Sequence, residues 1–448
     1  NERFDTVTHN KRWQSTCSER LQPSSVREGG MLPFQHTPSV RWKEGCARTA
    51  KLPTHHRRQF FFSAFLLLFL IKSGSAQSSE DLFNGSFLEE LRLYVHPDDW
   101  SQLRVHYLQN NWYLADLYWR GMTAANVGVR SRGSGSRSSV KPGLTVRFNK
   151  YVNQQFLGLN ELVLDNSLQD PSFLRERLSM LLLRRMGIAA PREAYARLYV
   201  NDEYAGLYSM VEAVDSQFLK RNLGENNGTL HEYRWMEPQF YFESHGDDWE
   251  RYAKARFEIR TSQQDDFGLE TIGQMVRVTN EVLDEEFVER VSGFLDLKQF
   301  LKQVAVENYL ADADGLLGLW GMNNFYLYRF ANTTRFQFIP WDKDVTLGNP
   351  GQSIWFNTDT NVLTRRVLSH RELQESYLDS LQQTAREAEG WVEEELEHAY
   401  LQIHTAVYED SRNPADKDQF ERAVAEVRNF VRLRGAYVLD AIERARNQ

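Results

Sequence analysis

Apolar and polar positions change period along the chain, and the changes mark its elements. LRLYV (91–95) alternates as a half-buried strand does, HPDDWSQL turns into a short helix, and WYLADLYWRG reads as a second strand. A Gly- and Ser-rich stretch with three arginines, NVGVRSRGSGSRSSVKPG, leads into the alternating LTVRF. Residues 170–187, DPSFLRERLSMLLLRRMG, carry helix signals: Asp170 as cap, Pro171 at the first position, an apolar face from Leu174 to Met186, and Gly187 as stop. ARLYVNDEYAGLYSMVE predicts a hairpin turning at Asn201-Asp202. From Asp215 the pattern is read as helical, with DLKQFLKQVAVENYL (296–310) as a buried helix, then a hairpin FYLYRF-ANTT-RFQFIP. Amphipathic helices follow at 371–386, 391–409 and 416–446, with SRNP at 411–414 breaking the last two. The order predicts an α+β protein: an antiparallel-sheet lobe over 77–212 and a mostly helical lobe over 213–448.

Composition alters the picture at the N-terminus. RRQFFFSAFLLLFLIKSGSAQ (57–77) has two arginines, a short apolar run and small residues, so 57–76 is expected to be a signal peptide cut after Ala76. The polar, basic 56 residues before it are read as a non-native or disordered leader from an over-extended start. A signal-anchor helix is the alternative, although the apolar run is short for a membrane span. The mature chain is expected to be exported (periplasmic, extracellular or at the cell surface), with no stable membrane span.

Both cysteines, Cys17 and Cys46, lie in that leader, which leaves the rest without disulfides, a thiol nucleophile or a thiolate metal site. The first 76 residues hold 12 of the chain's 53 Lys and Arg and 5 of its 61 Asp and Glu, so residues 77–448 have 41 against 56, a net of −15. That argues against nucleic acid as a partner and favours a basic one.

The candidate chemistry sits in FIPWDKDVTLG (338–348) and the loop before its hairpin, ADADGLLGLWGMNN. Asp314, then Asn323 or Asn324, two strands, and Asp342 with Asp344 two residues on, follow the order found in protein kinases. There an aspartate orients the acceptor hydroxyl, and an asparagine and a later aspartate hold Mg²⁺. A hairpin returns the chain to its starting edge, so both ends can serve one ion, and Mg²⁺ takes oxygen ligands partly supplied by phosphates. The glycine stretch offers Arg130, Arg132, Arg137 and Lys141 to those phosphates, without being a Walker A loop.

RSRGSGSRSSVKPGLTVRFNK, DPSFLRERLSMLLLRRMGIAAPR, LYVNDEYAGLYSMVE, ADADG, NNFYLYRF and FIPWDKDVTLG together resemble the CotH (spore-coat protein H) kinase family over roughly residues 88–446. The resemblance implies an atypical, secreted, protein-kinase-like two-lobe fold using ATP and Mg²⁺ to phosphorylate protein. Carried over by position, it implies Asp314 as catalytic aspartate. Lys141, with Arg132 and Arg137, would serve the nucleotide, and Glu212 would meet it from the linker between lobes. Asn324 (or its neighbour Asn323) and Asp342 would be metal ligands, with Asp344 sharing or supporting them. Two features depart from the pattern: the apolar insertion LLGLWG between Asp314 and Asn324, and Asp312, which adds charge or caps a helix. The acidic partner of Lys141 stays unassigned, with Glu176 one candidate.

The function expected is transfer of the γ-phosphate of ATP to Ser or Thr of a basic, Ser/Thr-rich protein. The alternatives are a non-catalytic envelope protein or adhesin on the same fold, and a kinase-like AMP transferase. No HExxH supports a metalloprotease.

Overall fold

The computed structural model describes residues 77–246, 249–261 and 266–447, so the expected leader and signal peptide lie outside the described residues. The strands are β1 (Glu89–Val95), β2 (Tyr113–Trp119), β3 (Met122–Ser131), β4 (Leu144–Arg147), β5 (Glu161–Asp165), β6 (Glu193–Val200) and β7 (Glu203–Glu212). After them come β8 (Thr229–Tyr233), β9 (Phe257–Ile259), β10 (Phe325–Arg329) and β11 (Phe336–Pro340).

The α+β reading stands, but β1–β7 are a closed barrel rather than an open antiparallel sheet. Their order is β1-β2-β3-β4-β5-β7-β6, and β6 closes it by running parallel to β1, Glu89 beside Ala196 through Leu93 beside Val200. Closure removes the free edges that an open sheet would present. Alternation places Leu91, Leu93, Leu117, Val127, Val129, Leu144, Val146, Leu162, Leu164 and Leu198 in the barrel core. The same period turns Arg130 and Arg132, Thr145 and Arg147, and Glu161 and Val163 to a neighbouring cavity.

The helix expected from Asp170 begins later, at Arg175, and ends at Arg185. Asp170 instead pins a turn: its carboxylate accepts from Ser172 N at 3.0 Å and from Arg175 N at 2.9 Å. Gly187 ends the element in the left-handed region as expected (φ 76°). The β6–β7 turn also matches, with Asn201 and Asp202 both at positive φ.

Residues after Asp215 are less helical than the pattern implied. β8 and β9 join the later hairpin in a second antiparallel sheet, order β11-β10-β8-β9. The buried helix Leu297–Tyr309 is capped by Asp296, which accepts from Gln299 N at 3.0 Å. The helices Arg371–Ala388, Trp391–Glu409 and Lys417–Arg446 agree with their sequence pattern. No described helix is long and apolar enough to cross a membrane.

Candidate functional site

A concavity of about 1080 Å³ is walled by the barrel face of β3–β5, the glycine loop, residues 213–216, and the β10–β11 hairpin with its flanking loops. Its formation follows from backbone pairing. Phe325 lies opposite Pro340, and Trp341 N donates to Asn324 O at 3.0 Å, so the residues flanking the hairpin meet. Ala313 N donates to Val345 O at 3.1 Å, tying the Asp314 loop to the Asp342–Asp344 segment.

Asp314 is held by both neighbouring amides. Asn323 Nδ2 donates to its carboxylate oxygens at 3.1 and 3.2 Å, and Asn324 Nδ2 donates to Oδ2 at 3.0 Å. Asn324 and Asp342 both have positive φ, 53° and 50°. Asn and Asp adopt this left-handed region more readily than other side chains, which lets the backbone turn sharply at both ends of the hairpin.

Beneath them Lys343 is fully buried, 2.8 Å from Asp312 and 3.4 Å from Glu307. Asp312 therefore neutralises Lys343, and its other oxygen accepts from Asp314 N at 3.0 Å. The insertion LLGLWG both packs and projects: Leu316 and Leu317 are buried, whereas Leu319 and Trp320 are 52% and 53% exposed.

Asp165, Asp314, Asp342 and Asp344 crowd together, with Arg132 and Lys343 as the cations acting on Asp342. Burial, then the Asp165 carboxylate, pushes Asp342 up to about 6, with Arg132 opposing. Burial, Asp342 and Asp165 raise Asp344 well above the carboxylate range. Asp314 is also raised, by burial first and against the Asn323 hydrogen bond. Arg132, at 3.0 Å from Asp165, is the cation facing them from the glycine loop.

Carboxylates crowded in this way fit a hard divalent cation. Among the described residues no three His, Cys, Asp or Glu side chains gather closely enough to hold a metal. A cation here would take Asn324 and one or both of Asp342 and Asp344, with ligand oxygens completing its shell, as Mg²⁺ does on phosphates.

Of the residues singled out in the sequence, Arg132, Arg137, Asp314, Asn324, Asp342 and Asp344 line this one cavity. Lys141 and Glu212 are not among the lining residues. Lys141 is buried with Nζ 2.7 Å from Asp410, under the Phe173 and Tyr208 rings. The glycine loop, closed by Arg132 N donating to Gly143 O at 2.9 Å, turns its lysine inward and its arginines outward. Glu212 is buried between Arg192, at 2.8 Å, and Arg221; the residues after it, 213–216, line the cavity instead. Glu176 is not the partner of Lys141; it is half-buried near Glu193 and Asp342, which raise its pKa after desolvation does.

Two contributors escaped sequence reading. Asp165 ends β5 and holds Arg132; buried Asn166 donates to Ser136 O at 2.9 Å and Lys141 O at 2.8 Å, fixing the glycine loop. Their only signal was a polar Asp-Asn pair just after an apolar strand.

The family model described as CotH kinase protein matches residues 129–438. The inner spore coat protein H of Bacillus subtilis (strain 168) is 26% identical over 371 residues, covering 80% of this chain and 98% of that one. Among solved structures, the Helicobacter pylori proinflammatory kinase CtkA aligns at 12% identity over 68% of this chain and 95% of that one. Its TM-score of 0.28 is too low to bear on the fold. With more than half of its length matched by the family model, the chain belongs to the CotH kinase protein family.

Proposed function

We propose that this protein is an exported phosphotransferase that moves the γ-phosphoryl group of ATP to a Ser or Thr hydroxyl of a protein, in a kinase-like two-lobe arrangement. The observation that carries the reading is the meeting of Asp314, Asn324, Asp342 and Asp344 with Arg132 on one cavity. A purely structural protein gains nothing from crowded, partly desolvated carboxylates facing a glycine loop.

The apolar residues Val163, Ala213, Val214 and Leu230 offer a wall for the adenine. Bound Mg²⁺ would neutralise charge on the phosphates and orient them. Arg132 stabilises charge on the phosphoryl oxygens. Asp314, fixed by Asn323 and Asn324, accepts the hydroxyl proton as that oxygen bonds to the γ-phosphorus; the bond from phosphorus to the bridging oxygen breaks and ADP leaves. The net negative charge of residues 77–448 supports a basic, Ser/Thr-rich acceptor.

Calorimetric titration of ATP with and without Mg²⁺ tests the site. The expected result is Mg²⁺-dependent binding that weakens at least about tenfold in Asp342→Asn, a change of about 1.4 kcal/mol. Binding that is absent, or indifferent to both metal and substitution, contradicts the reading.

A further inference from the structure

Among the described residues six arginines line the cavity. Four meet carboxylates: Arg132 with Asp165 at 3.0 Å, Arg147 with Glu161 at 2.7 Å, Arg260 with Glu232 at 3.3 Å, and Arg234 with Glu258. Arg130 and Arg137 have no carboxylate within ion-pair distance among the described residues. Both turn to the same neutral atom, Asn110 Oδ1, at 3.1 and 2.5 Å. The remaining acceptors of Arg137 are the carbonyls of Gly133, Tyr107 and Gln109. Arg130 Nη1 also donates to Ser131 O at 3.2 Å, and its guanidinium lies 5.2 Å from the Trp112 ring centroid. Its Nε and Nη2 have no acceptor among the described residues.

Burial disfavours the charge of both guanidinium groups, with Glu161 opposing at Arg130 and neighbouring arginines adding repulsion, and the two share one neutral amide oxygen. An anion between them and solvent would relieve both costs. Lys150, exposed and 5.2 Å from the same Trp112 ring, adds a third cation without an ion-pair partner among the described residues. That much charge matches a dianion better than a carboxylate.

Position separates this patch from the nucleotide. Arg130 is two residues before Arg132 on the same face of the chain, about 7 Å away along an extended strand. The apolar wall for the base lies beyond β4, at Val163 on β5 and at residues 213–214 after β7. Arg132 feels the Asp165 and Asp342 carboxylates, whereas the charges acting on Arg130 are Glu161 and the neighbouring arginines, so phosphates held at Asp342 are met by Arg132 and leave Arg130 and Arg137 to a second anion.

We propose that Arg130, Arg137 and Asn110 form a subsite for a phosphoryl group already carried by the protein acceptor, a phosphoserine or phosphothreonine near the hydroxyl to be modified. Planar guanidinium suits this ligand because it offers paired N–H donors to phosphate oxygens. The consequence for catalysis rests on the phosphotransferase reading: each modification of a Ser-rich segment favours the next. Binding of the phosphopeptide does not depend on that reading.

The test uses the full chain without nucleotide and fluorescence anisotropy of three labelled peptides. They share one Lys- and Ser-containing sequence and differ at one position: phosphoserine, serine or glutamate. The phosphoserine peptide is expected to bind about tenfold tighter than the other two. Arg130→Gln should abolish the preference, and Arg130→Lys should restore part of it. Lys150→Gln, at an exposed position, should reduce it about two- to threefold, an independent check should Arg130→Gln misfold. Displacement of a fluorescent ATP analogue should give the same ATP affinity for Arg130→Gln as for the parent protein. Equal binding of the phosphoserine and serine peptides overturns the subsite, and tight binding of the glutamate peptide overturns its phosphoryl assignment. Weaker ATP binding in Arg130→Gln, with the peptide preference intact, gives the arginines to the nucleotide. Phosphopeptide preference with no phosphoryl transfer to any peptide would refute the phosphotransferase reading and leave the subsite standing.

Discussion

Lys141 Nζ lies 2.7 Å from Asp410 Oδ2, and both side chains are 1% exposed. The pair joins the end of the glycine loop to the turn after the helix Trp391–Glu409. Asp410 also accepts from Leu207 N at 3.1 Å, and a side chain at Gly206 (φ 128°) would meet its carboxylate at 2.6 Å. Lys141 therefore holds the loop that presents Arg132 and does not reach the cavity. Removing one partner leaves a buried charge uncompensated, so Lys141→Met should lose about 3–5 kcal/mol in urea unfolding, and the double variant with Asp410→Asn should recover part of it. A nucleotide-contacting lysine would show the reverse: near-native stability and lost ATP affinity.

In the proposed transfer Asp314 takes the proton and does not hold the nucleotide. Asp314→Asn should lower kcat by about 10²–10⁴-fold and change ATP affinity little. Steady-state kinetics beside direct ATP titration separates the two effects; a parallel loss of both would make Asp314 a binding residue.

Arg132 faces the carboxylates that crowd the site, and its loss should be felt in turnover. Arg132→Gln is expected to reduce kcat by about 10²–10³-fold, the range for a missing charge-stabilising donor. An unchanged kcat would leave Arg132 only its structural bond to Asp165.

Glu193 gives a pH signature. Burial pushes its carboxyl up to about 8 against the opposing charges of Arg184 and Arg177, and neither oxygen has a hydrogen-bond partner among the described residues. The folded protein then holds a proton that the unfolded chain releases near the ordinary value of 4.5. Stability contributed by that proton is present at low pH and falls as pH rises from 4.5 towards 8. Chemical unfolding across that window should show Glu193→Gln losing less stability with rising pH than the parent protein. Parallel curves would contradict the protonated assignment.

Local signals carried much of the fold. The Asn201-Asp202 hairpin, the helix Leu297–Tyr309 and the β10–β11 hairpin were legible because turn chemistry, caps and period act within a few residues. Barrel closure was not, because β1 meets β6 across distant sequence and nothing in either strand names its partner. The site divides in the same way. Asp314, Asn324 and Asp342 are brought together by a hairpin that the sequence displays. Lys141 and Glu212 are polar residues in apolar surroundings, and only the tertiary positions of Asp410, Arg192 and Arg221 decide that they are buried ion pairs. A charged residue in a glycine-rich loop reads the same whether it faces phosphate or core.

The most direct test of the account is transfer itself. The full chain would be incubated with γ-labelled ATP, Mg²⁺ and a basic Ser-rich protein, beside Asp342→Ala and Asp314→Ala, with mass spectrometry reading the product. The account predicts one phosphoryl group added per modified Ser or Thr, lost in both variants. An AMP adduct, or no transfer by folded protein that also fails to bind ATP, would contradict it.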